Sequence, residues 1–281
     1  MNKDIKLVLA DIDLTLRVPA KDLPAINKKA IEDLHENGIL FGLASGRSIS
    51  QIKNICEAWK LNFEPELMIA LNGSAMFDGL KQKTYDYFIM EPEWVEEIIN
   101  ILDENNKNYY AYVGDYTVFK AECEHYFLLK KEIDRKTRLA ESSDDFRKET
   151  VYKFLFNLTR GEEEIREIET LLKPLLEKHK NDYKLLLTTS TCLEIVNAKT
   201  SKAFALNEFC NNHNFSPENI MSFGDTDNDN EMLQASGVGV CLLDGNENTK
   251  KIADYVTYLG CDEGGFGDFI YKHILNKKEK L

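Results

Sequence analysis

The chain contains no apolar run that approaches the roughly 20 residues needed to cross a bilayer. Its beginning also lacks the pattern of a secretory signal peptide, so we expect a cytoplasmic protein. The six cysteines are scattered without a C-x-x-C pair, which favours reduced thiols over a disulfide framework. The five histidines show no spacing typical of a zinc site.

Positive charge is also scarce, because 35 Lys and Arg stand against 48 Asp and Glu, a formal net charge of −13. This balance disfavours nucleic acid or an anionic membrane as a partner, since both repel an acidic surface. An anionic substrate would therefore need local positive charge from a metal ion, a lysine or an arginine. With 281 residues, 43% of them hydrophobic and 30% charged, the chain has the composition of a soluble globular protein with one large domain or two.

Two aspartates separated by one residue directly follow a short apolar run. The run Ile5–Ala10 is typical of a buried strand in a parallel sheet, and Asp11 and Asp13 come next. Ligands of open α/β sheets bind beyond the carboxyl ends of the strands. On this segment alone a solvated turn explains the aspartates equally well, because short motifs often arise by chance.

The first part of the chain alternates strands and helices. After the first strand, the predicted elements are a helix over Ile26–Glu36, a strand over Ile39–Ala44, a helix opened by Ser45-Gly46-Arg47-Ser48 and reaching Ala58, and a strand over Leu67–Leu71 that ends at Asn72-Gly73. This βαβαβ order requires a parallel sheet with right-handed crossovers.

From Gly79 to Ser190 the pattern changes to aromatic-rich alternating strands separated by helices, which indicates an inserted α+β module. The predicted strands are Thr84–Phe88, Tyr109–Val113, Val151–Leu158 and Tyr183–Thr188, and the predicted helices are Glu93–Asn105, Glu124–Ile133 and Glu162–His179. The first pattern then resumes over Ser201–His213, Asn219–Phe223, Asp227–Ala235, Gly237–Cys241 and Tyr255–Tyr258.

A second acidic segment follows a strand in this resumed part. The strand leads into Gly224-Asp225-Thr226-Asp227-Asn228-Asp229, which an N-cap and a turn would explain by themselves. However, Asp11 and Asp13 hold the same kind of position on another strand, and 214 positions separate residues 11 and 225. Carboxylates from two strand ends at one sheet edge would form an oxygen-rich pocket suited to Mg²⁺.

Four motifs in this order resemble those of the haloacid dehalogenase-like phosphatases. They are Asp11-x-Asp13-x-Thr15-Leu16, Ser45-Gly46-Arg47, Lys202 and Gly224-Asp225-x-x-Asn228-Asp229. Their order and the large insertion are similar to the Cof-type subfamily, whose α+β cap lies between the second and third motifs. The resemblance implies an α/β fold with a Rossmann-like parallel-sheet core, formed by residues 1–79 and 190–281. An inserted α+β cap over residues 80–189 would determine substrate specificity.

The resemblance also implies a mechanism. Asp11 would attack phosphorus and form an aspartyl-phosphate, while Asp13 would act first as general acid and then as general base. Mg²⁺ would be bound by Asp11, the Asp13 backbone carbonyl and Asp225, and would reduce the repulsion between nucleophile and phosphate. Lys202 would hold the phosphate and offset the negative charge of the transition state.

Further residues are implied to contact phosphate or substrate or to support those that do. The implied phosphate and substrate contacts are Thr15, Ser45, Gly46, Arg47, Asn72, Lys202 and Asn228. Asn228 and Asp229 would also orient Lys202 and the metal ligands.

Several of these residues have a plainer interpretation. Ser45 would be a helix N-cap, and Lys202 would be an exposed lysine in the first turn of a helix. Arg47 would form a surface ion pair, which contributes little to stability. Asn72-Gly73 would be no more than a turn.

The sequence departs from the family pattern at two places. Leu14 stands where the family usually has glycine, a residue favoured where φ is positive or where another group passes close by. We expect strain or a narrower pocket there, with catalysis retained. The segment Ala198–Ala203 lacks the usual glycines before the motif lysine, which leaves the reach of Lys202 open.

Three functions are compatible with these residues. The first is a Mg²⁺-dependent phosphatase acting on a small phosphorylated metabolite, such as a sugar phosphate or a cofactor phosphate. The second is a phosphomutase that uses the same intermediate and returns the phosphoryl group to the substrate. The third is a non-catalytic relative that binds a phosphorylated ligand. The intact Asp11, Asp13, Lys202 and Asp225 favour catalysis.

Overall fold

A computed structural model of the chain describes residues 4–131, 136–189 and 192–275. In chain order its strands are β1 (Leu7–Asp11), β2 (Leu40–Ala44), β3 (Leu67–Ala70), β4 (Ala75–Asp78), β5 (Lys83–Asp86), β6 (Tyr110–Val113), β7 (Tyr116–Phe119), β8 (Thr137–Leu139), β9 (Val151–Asn157), β10 (Tyr183–Thr189), β11 (Cys192–Asn197), β12 (Ile220–Gly224), β13 (Val238–Cys241) and β14 (Tyr255–Val256). The α-helices are α1 (Ala25–Glu36), α2 (Ile49–Trp59), α3 (Pro92–Glu104), α4 (Glu124–Lys131), α5 (Glu162–Lys178), α6 (Lys202–His213), α7 (Asn230–Ala235), α8 (Glu247–Ile252) and α9 (Gly265–Ile270). Among these described residues, no helix has the length and apolar character that a membrane crossing requires.

The chain divides into two compact units, residues 1–85 with 201–281 and residues 86–200. The first unit contains an eight-stranded sheet with the order β14-β13-β12-β1-β2-β3-β4-β5. From β14 to β3 every neighbouring pair is parallel. Strand β1 lies between β12 and β2 and is buried along its whole length, as its apolar sequence requires. The predicted α/β fold with a parallel-sheet core is confirmed.

The sheet edge beyond β3 contains two strands, β4 and β5, that the sequence analysis did not assign to this sheet. Asn72 and Gly73 have φ values of +56° and +102°, and the chain turns there so that β4 runs antiparallel to β3. Strand β5 then extends the same edge. The predicted strand Thr84–Phe88 was placed in the inserted module, whereas β5 joins the sheet of the first unit and only residues 86–88 fall in the second unit. Alternation within a strand does not show which sheet the strand joins.

The second unit contains a six-stranded sheet with the order β10-β11-β9-β6-β7-β8. Its pairings are antiparallel except for the parallel pair of β7 and β8. Helices α3 and α5 cover one face of the sheet, where Ile98, Leu102 and Leu172 pack with strand residues such as Phe154 in an apolar core. This unit is therefore an α+β structure.

The boundaries of the two units differ from the predicted domain boundaries, and two strands account for the differences. The sequence analysis divided the chain at 79/80 and 189/190, whereas the compact units divide at 85/86 and 200/201. Strand β5 accounts for the first difference, and β11, which the sequence analysis did not predict, pairs with β9 and β10 and accounts for the second. Residue 190 lies outside the described residues, as does the predicted end of the α4 helix at Ile133.

Candidate active site

The carboxyl ends of β1 and β12 bring two acidic segments together. The two strands are parallel neighbours, with Ala10 opposite Phe223, so Asp11 and Asp225 follow at the same edge of the sheet. Both side chains are buried, together with Asp229. One carboxylate oxygen from each of these three aspartates lies within 4.8 Å of the others. The plainer interpretation explained the two motifs as separate solvated turns. It is not correct here, because the aspartates are buried and lie together.

Lys202 lies among these carboxylates. It is the first residue of α6 and is fully buried, so the interpretation as an exposed lysine is wrong. Its Nζ donates hydrogen bonds of 2.6 Å to Asp11 Oδ1 and 2.6 Å to Asp229 Oδ1. Despite the missing glycines before it, the loop brings Lys202 to the acidic cluster.

The two oxygens of Asp229 join the lysine to the loop after β12. While Oδ1 accepts from Lys202, Oδ2 accepts from the backbone N–H groups of Asp225 at 3.0 Å and Thr226 at 3.3 Å. Gly224 makes this possible, because a Cβ atom there would lie 2.4 Å from the Cβ of Asp229. Asp229 thus fixes both the lysine and the segment that carries Asp225.

The electrostatics of the cluster favour an additional cation. Burial raises the pKa of Asp11 to about 7 and the pKa of Asp225 to about 8, and the neighbouring carboxylates add to both shifts. Burial opposes the charge of Lys202, but attraction by Asp11 and Asp229 is stronger and raises its pKa. If all three carboxylates were ionised, they and the ammonium would together carry a net charge of −2, and the donors are all oxygens. This donor set fits a hard divalent cation such as Mg²⁺.

Thr15 is fully buried beside the acidic cluster. Its Oγ1 donates a 2.9 Å hydrogen bond to Asp225 Oδ1. The sequence analysis counted Thr15 among the phosphate contacts, and in the structure its hydroxyl is bonded to a carboxylate of the cluster.

The Asp13 side chain is paired with Arg47. Arg47 Nε donates to Asp13 Oδ2 at 2.8 Å, and Nη2 donates to Oδ1 at 3.1 Å. Arg17 Nε approaches Asp13 Oδ1 at 3.6 Å. Arg47 does form an ion pair, as the plainer interpretation predicted. The pair is not at the surface on the arginine side, because the Arg47 side chain is only 5% exposed.

The loops after β2 and β3 bring Ser45, Asn72 and Asn228 together. The Asn72 N–H donates to the Ser45 carbonyl at 2.9 Å, and Asn228 Nδ2 lies 3.5 Å from Asn72 Oδ1. Gly46 lies against Asn72, since a Cβ atom there would be 3.4 Å from its Oδ1. Ser45 is not the N-cap of α2, because Ser48 forms the cap in a capping box with Gln51.

Two backbone features of the site involve residues with positive φ. Leu14 has a φ of +68°, so the leucine occupies the conformation that glycine favours, and its side chain is half exposed. Gly73 lies so close to the segment before α6 that a Cβ atom there would be 2.0 Å from the Ser201 carbonyl oxygen. The sequence analysis counted Asn72 among the substrate contacts, with a plain turn as the alternative. It did not identify Arg17, whose position four residues after Asp13 was the available signal.

The comparison with known proteins agrees with this geometry. A family model of the haloacid dehalogenase-like hydrolases matches residues 8–270. The chain belongs to this family, and the resemblance to the Cof-type subfamily is confirmed. Family membership also confirms the prediction that the chain is a hydrolase.

Two relatives that match along nearly their whole length are named as phosphatases, the activity class that the sequence predicts. The chain is 24% identical over 263 residues to 5-amino-6-(5-phospho-D-ribitylamino)uracil phosphatase YcsE of Bacillus subtilis, covering 93% of each chain. It is 24% identical over 292 residues to phosphatase YwpJ of the same organism, covering 96% of this chain and all of YwpJ.

Solved structures show the same fold. A haloacid dehalogenase-like hydrolase from Bacteroides thetaiotaomicron matches with a TM-score of 0.83 and 22% identity, over 95% of this chain and 99% of that one. The subclass IIB sugar phosphatase BT4131 matches with a TM-score of 0.77 and 21% identity, over 95% of this chain and 98% of that one.

Proposed function

We propose that the protein is a Mg²⁺-dependent phosphatase that hydrolyses small phosphorylated metabolites through an aspartyl-phosphate on Asp11. The observation that carries this proposal is the buried cluster of Asp11, Asp225 and Asp229 around Lys202. Burying three carboxylates is costly unless cations compensate their charge, and one lysine compensates only part of it.

Asp11, Asp225 and the backbone carbonyl of Asp13 would hold the metal ion. When bound, Mg²⁺ supplies positive charge that lowers the repulsion between the Asp11 carboxylate and an anionic phosphate. Lys202 supplies a further charge from within the protein, since its ammonium already contacts the attacking carboxylate.

The reaction itself would use two aspartates. In the first step an Asp11 oxygen forms a bond to phosphorus while the bond to the leaving oxygen breaks, and Asp13 gives that oxygen a proton. In the second step Asp13 accepts a proton from water, the water oxygen attacks phosphorus, and the bond to Asp11 breaks. Inorganic phosphate is released, and both aspartates return to their starting state.

Phosphate oxygens would be held by Lys202 and by the loops that carry Thr15, Ser45, Gly46 and Asn228. Because Thr15 Oγ1 is bonded to Asp225, Thr15 would offer its backbone N–H group rather than its hydroxyl. A substrate role for Asn72 stays a prediction.

The names of the relatives support small organic phosphates as substrates. YcsE is named for a phosphorylated ribityl compound, and BT4131 is described as a sugar phosphatase. We extend this substrate class to the present chain, with the inserted unit selecting among substrates and the cytoplasm as the compartment. The net charge of −13 argues against nucleic acid as a substrate.

A phosphate-release assay tests the proposal. Purified protein is given p-nitrophenyl phosphate and a panel of sugar and cofactor phosphates, with Mg²⁺ or with EDTA. We expect release only with Mg²⁺ and its complete loss in Asp11→Asn. Asp227→Asn is the matched control, because Asp227 lies in the same acidic loop but is exposed and bonds Asn230 and Asn248 instead.

The alternatives give different results in the same assay. Isomeric phosphorylated products with little free phosphate would identify a phosphomutase. Phosphate release that is equal in the parent protein and in Asp11→Asn would overturn the assignment of the nucleophile. Binding of phosphorylated compounds without any turnover would identify a non-catalytic relative.

A further inference from the structure

Arg47 holds the carboxylate of Asp13 through two parallel hydrogen bonds. We infer that Arg47 is a positioning residue for Asp13 in the acid–base steps, rather than a residue that contacts the substrate. The inference rests on the proposed function, since it assigns to Asp13 the proton transfers described above. It differs from the sequence-based prediction, which placed Arg47 among the substrate contacts.

The geometry of the pair is specific. Nε and Nη2 of the planar guanidinium each donate to a different oxygen of Asp13, at 2.8 and 3.1 Å. This bidentate arrangement fixes the plane of the carboxylate as well as its distance. A carboxylate offers about four lone-pair positions, so the two bonds from Arg47 do not by themselves occupy all of them. The pair is therefore compatible with proton transfer at Asp13.

Hydrogen bonds hold the backbone of Arg47 as well as its side chain. The Arg47 N–H donates to Ser45 Oγ at 3.3 Å, and the Arg47 carbonyl accepts from the Leu71 N–H at 2.9 Å. The Arg47 side chain is 5% exposed, whereas the Asp13 side chain is 29% exposed. With its side chain 5% exposed, Arg47 presents little surface to a substrate. Asp13, in contrast, presents part of its carboxylate outward while its orientation is set from behind.

The backbone that carries Asp13 needs such support. Asp13 precedes Leu14, whose φ of +68° is unfavourable for leucine. The chain then turns back, with the Leu14 N–H donating to the Arg17 carbonyl at 2.7 Å. The side-chain pair with Arg47 connects this turn to the neighbouring strand, because β1 and β2 are adjacent.

Arg17 provides an internal comparison. Its Nε lies 3.6 Å from Asp13 Oδ1, which is an ion-pair distance and not a hydrogen bond. Both arginines therefore place positive charge near Asp13, but the bidentate geometry is that of Arg47. Removing Arg17 should weaken the local charge without releasing the plane of the carboxylate.

A double-mutant cycle tests the inference. Parent protein, Arg47→Gln, Asp13→Asn and the double variant are assayed with p-nitrophenyl phosphate, an activated ester, and phenyl phosphate, which needs leaving-group protonation. We expect Arg47→Gln to lower kcat for phenyl phosphate about 100-fold, within the usual range of general acid–base catalysis, and for p-nitrophenyl phosphate about 5-fold or less. KM should change less than twofold. In the Asp13→Asn background, Arg47→Gln should have no further effect.

The controls separate positioning from folding. Arg47→Lys keeps the positive charge but cannot form two parallel hydrogen bonds, so its kcat should lie between those of Arg47→Gln and the parent protein. Arg17→Gln should lower kcat for phenyl phosphate less than Arg47→Gln does. Thermal melts establish that each variant is folded, and Arg47→Lys replaces Arg47→Gln in the cycle if the latter does not fold.

Two results would overturn the inference about Arg47, and a third would overturn the assignment of Asp13 as general acid. A rise in KM with equal losses on both esters would make Arg47 a substrate contact. Additive losses of Arg47→Gln and Asp13→Asn would mean that Arg47 acts independently of Asp13. If Asp13→Asn itself loses equally on both esters, the general-acid assignment in the proposed function fails, whatever Arg47 does.

Discussion

Gly73 and Ser201 approach each other so closely that the space for a side chain at residue 73 is filled by the Ser201 carbonyl. Ser201 is the N-cap of α6, its Oγ accepting from the Phe204 N–H at 3.2 Å. Lys202 follows directly. The turn after β3 therefore fixes the segment from which the lysine reaches the carboxylates.

The first prediction concerns this contact. Gly73→Ala should lower the free energy of unfolding by at least about 2 kcal/mol, because it combines a left-handed backbone with a steric clash. Gly38→Ala is the control, since Gly38 also has a positive φ but nothing lies near its missing Cβ. Urea unfolding measures the free energy of unfolding of both variants, with the m-value of the parent protein used for all three proteins. Equal losses in the two would show that the close approach to Ser201 has no energetic weight.

Removal of the buried ammonium should affect both stability and catalysis. Lys202→Met leaves Asp11 and Asp229 without their buried partner, and breaking such a pair costs about 3 kcal/mol or more. Phosphatase activity should fall at least about 100-fold, the usual loss for a missing charge-stabilising donor. Lys199→Met, at an exposed lysine nearby in the chain, should change neither quantity. A Lys202→Met protein as active as Lys199→Met would contradict the role of the ammonium.

The metal-free protein should lose stability as pH rises. Burial raises the pKa of Asp11 to about 7 and that of Asp225 to about 8, from an ordinary value of 3.8, so between these limits the folded state binds more protons than the unfolded state. The free energy of unfolding should therefore fall between pH 4 and pH 8, by about 1.4 kcal/mol per pH unit for each group that is protonated only in the folded state, or about 3 kcal/mol per pH unit where both are.

Denaturation in EDTA at several pH values measures this slope. An Asp11→Asn, Asp225→Asn double variant should have a flatter slope. Added Mg²⁺ should stabilise the parent more at pH 8 than at pH 5.5, because the ion requires ionised carboxylates. A slope that the double variant leaves unchanged would exclude these two groups as its source.

Leu14 offers a gain in stability. Replacing it with glycine removes the cost of a positive φ for leucine, so Leu14→Gly should raise the free energy of unfolding by about 1 kcal/mol. Leu80→Gly is the control, because Leu80 is equally exposed, at 46% against 47%, but has an ordinary φ. There glycine should lower stability by about 0.5 kcal/mol or more through the entropy of the unfolded chain. Chemical denaturation compares the two, and a loss in both would mean that the backbone at residue 14 is unstrained.

Local sequence patterns were sufficient to predict much of the candidate site. The apolar run before Asp11 and the strand before Asp225 each indicated buried strands, and parallel pairing then required their ends to meet. Leu14 in place of glycine pointed to an unusual backbone, which the φ of +68° bears out.

Other features depend on tertiary contacts that local patterns do not encode. An arginine after Ser-Gly could equally face solvent, substrate or Asp13, and only the packing of the β1 and β2 loops selects Asp13. The burial of Lys202 likewise depends on a glycine 129 positions earlier in the chain. Strand β5 was predicted as a strand, but its sheet membership is set by the turn that precedes it, and β11 was not predicted.

The position of β12 beside β1 has a consequence for biosynthesis. The ribosome makes Asp11 early, but the neighbouring strand β12, which precedes Asp225, emerges only after the whole of residues 86–200 has been translated. The second unit is continuous in the chain, so all of its strands are available before the first sheet can be completed. The nascent chain therefore carries an incomplete acidic cluster through most of its synthesis. In the proposed enzyme, phosphatase activity would arise only when the last third of the polypeptide has joined the first.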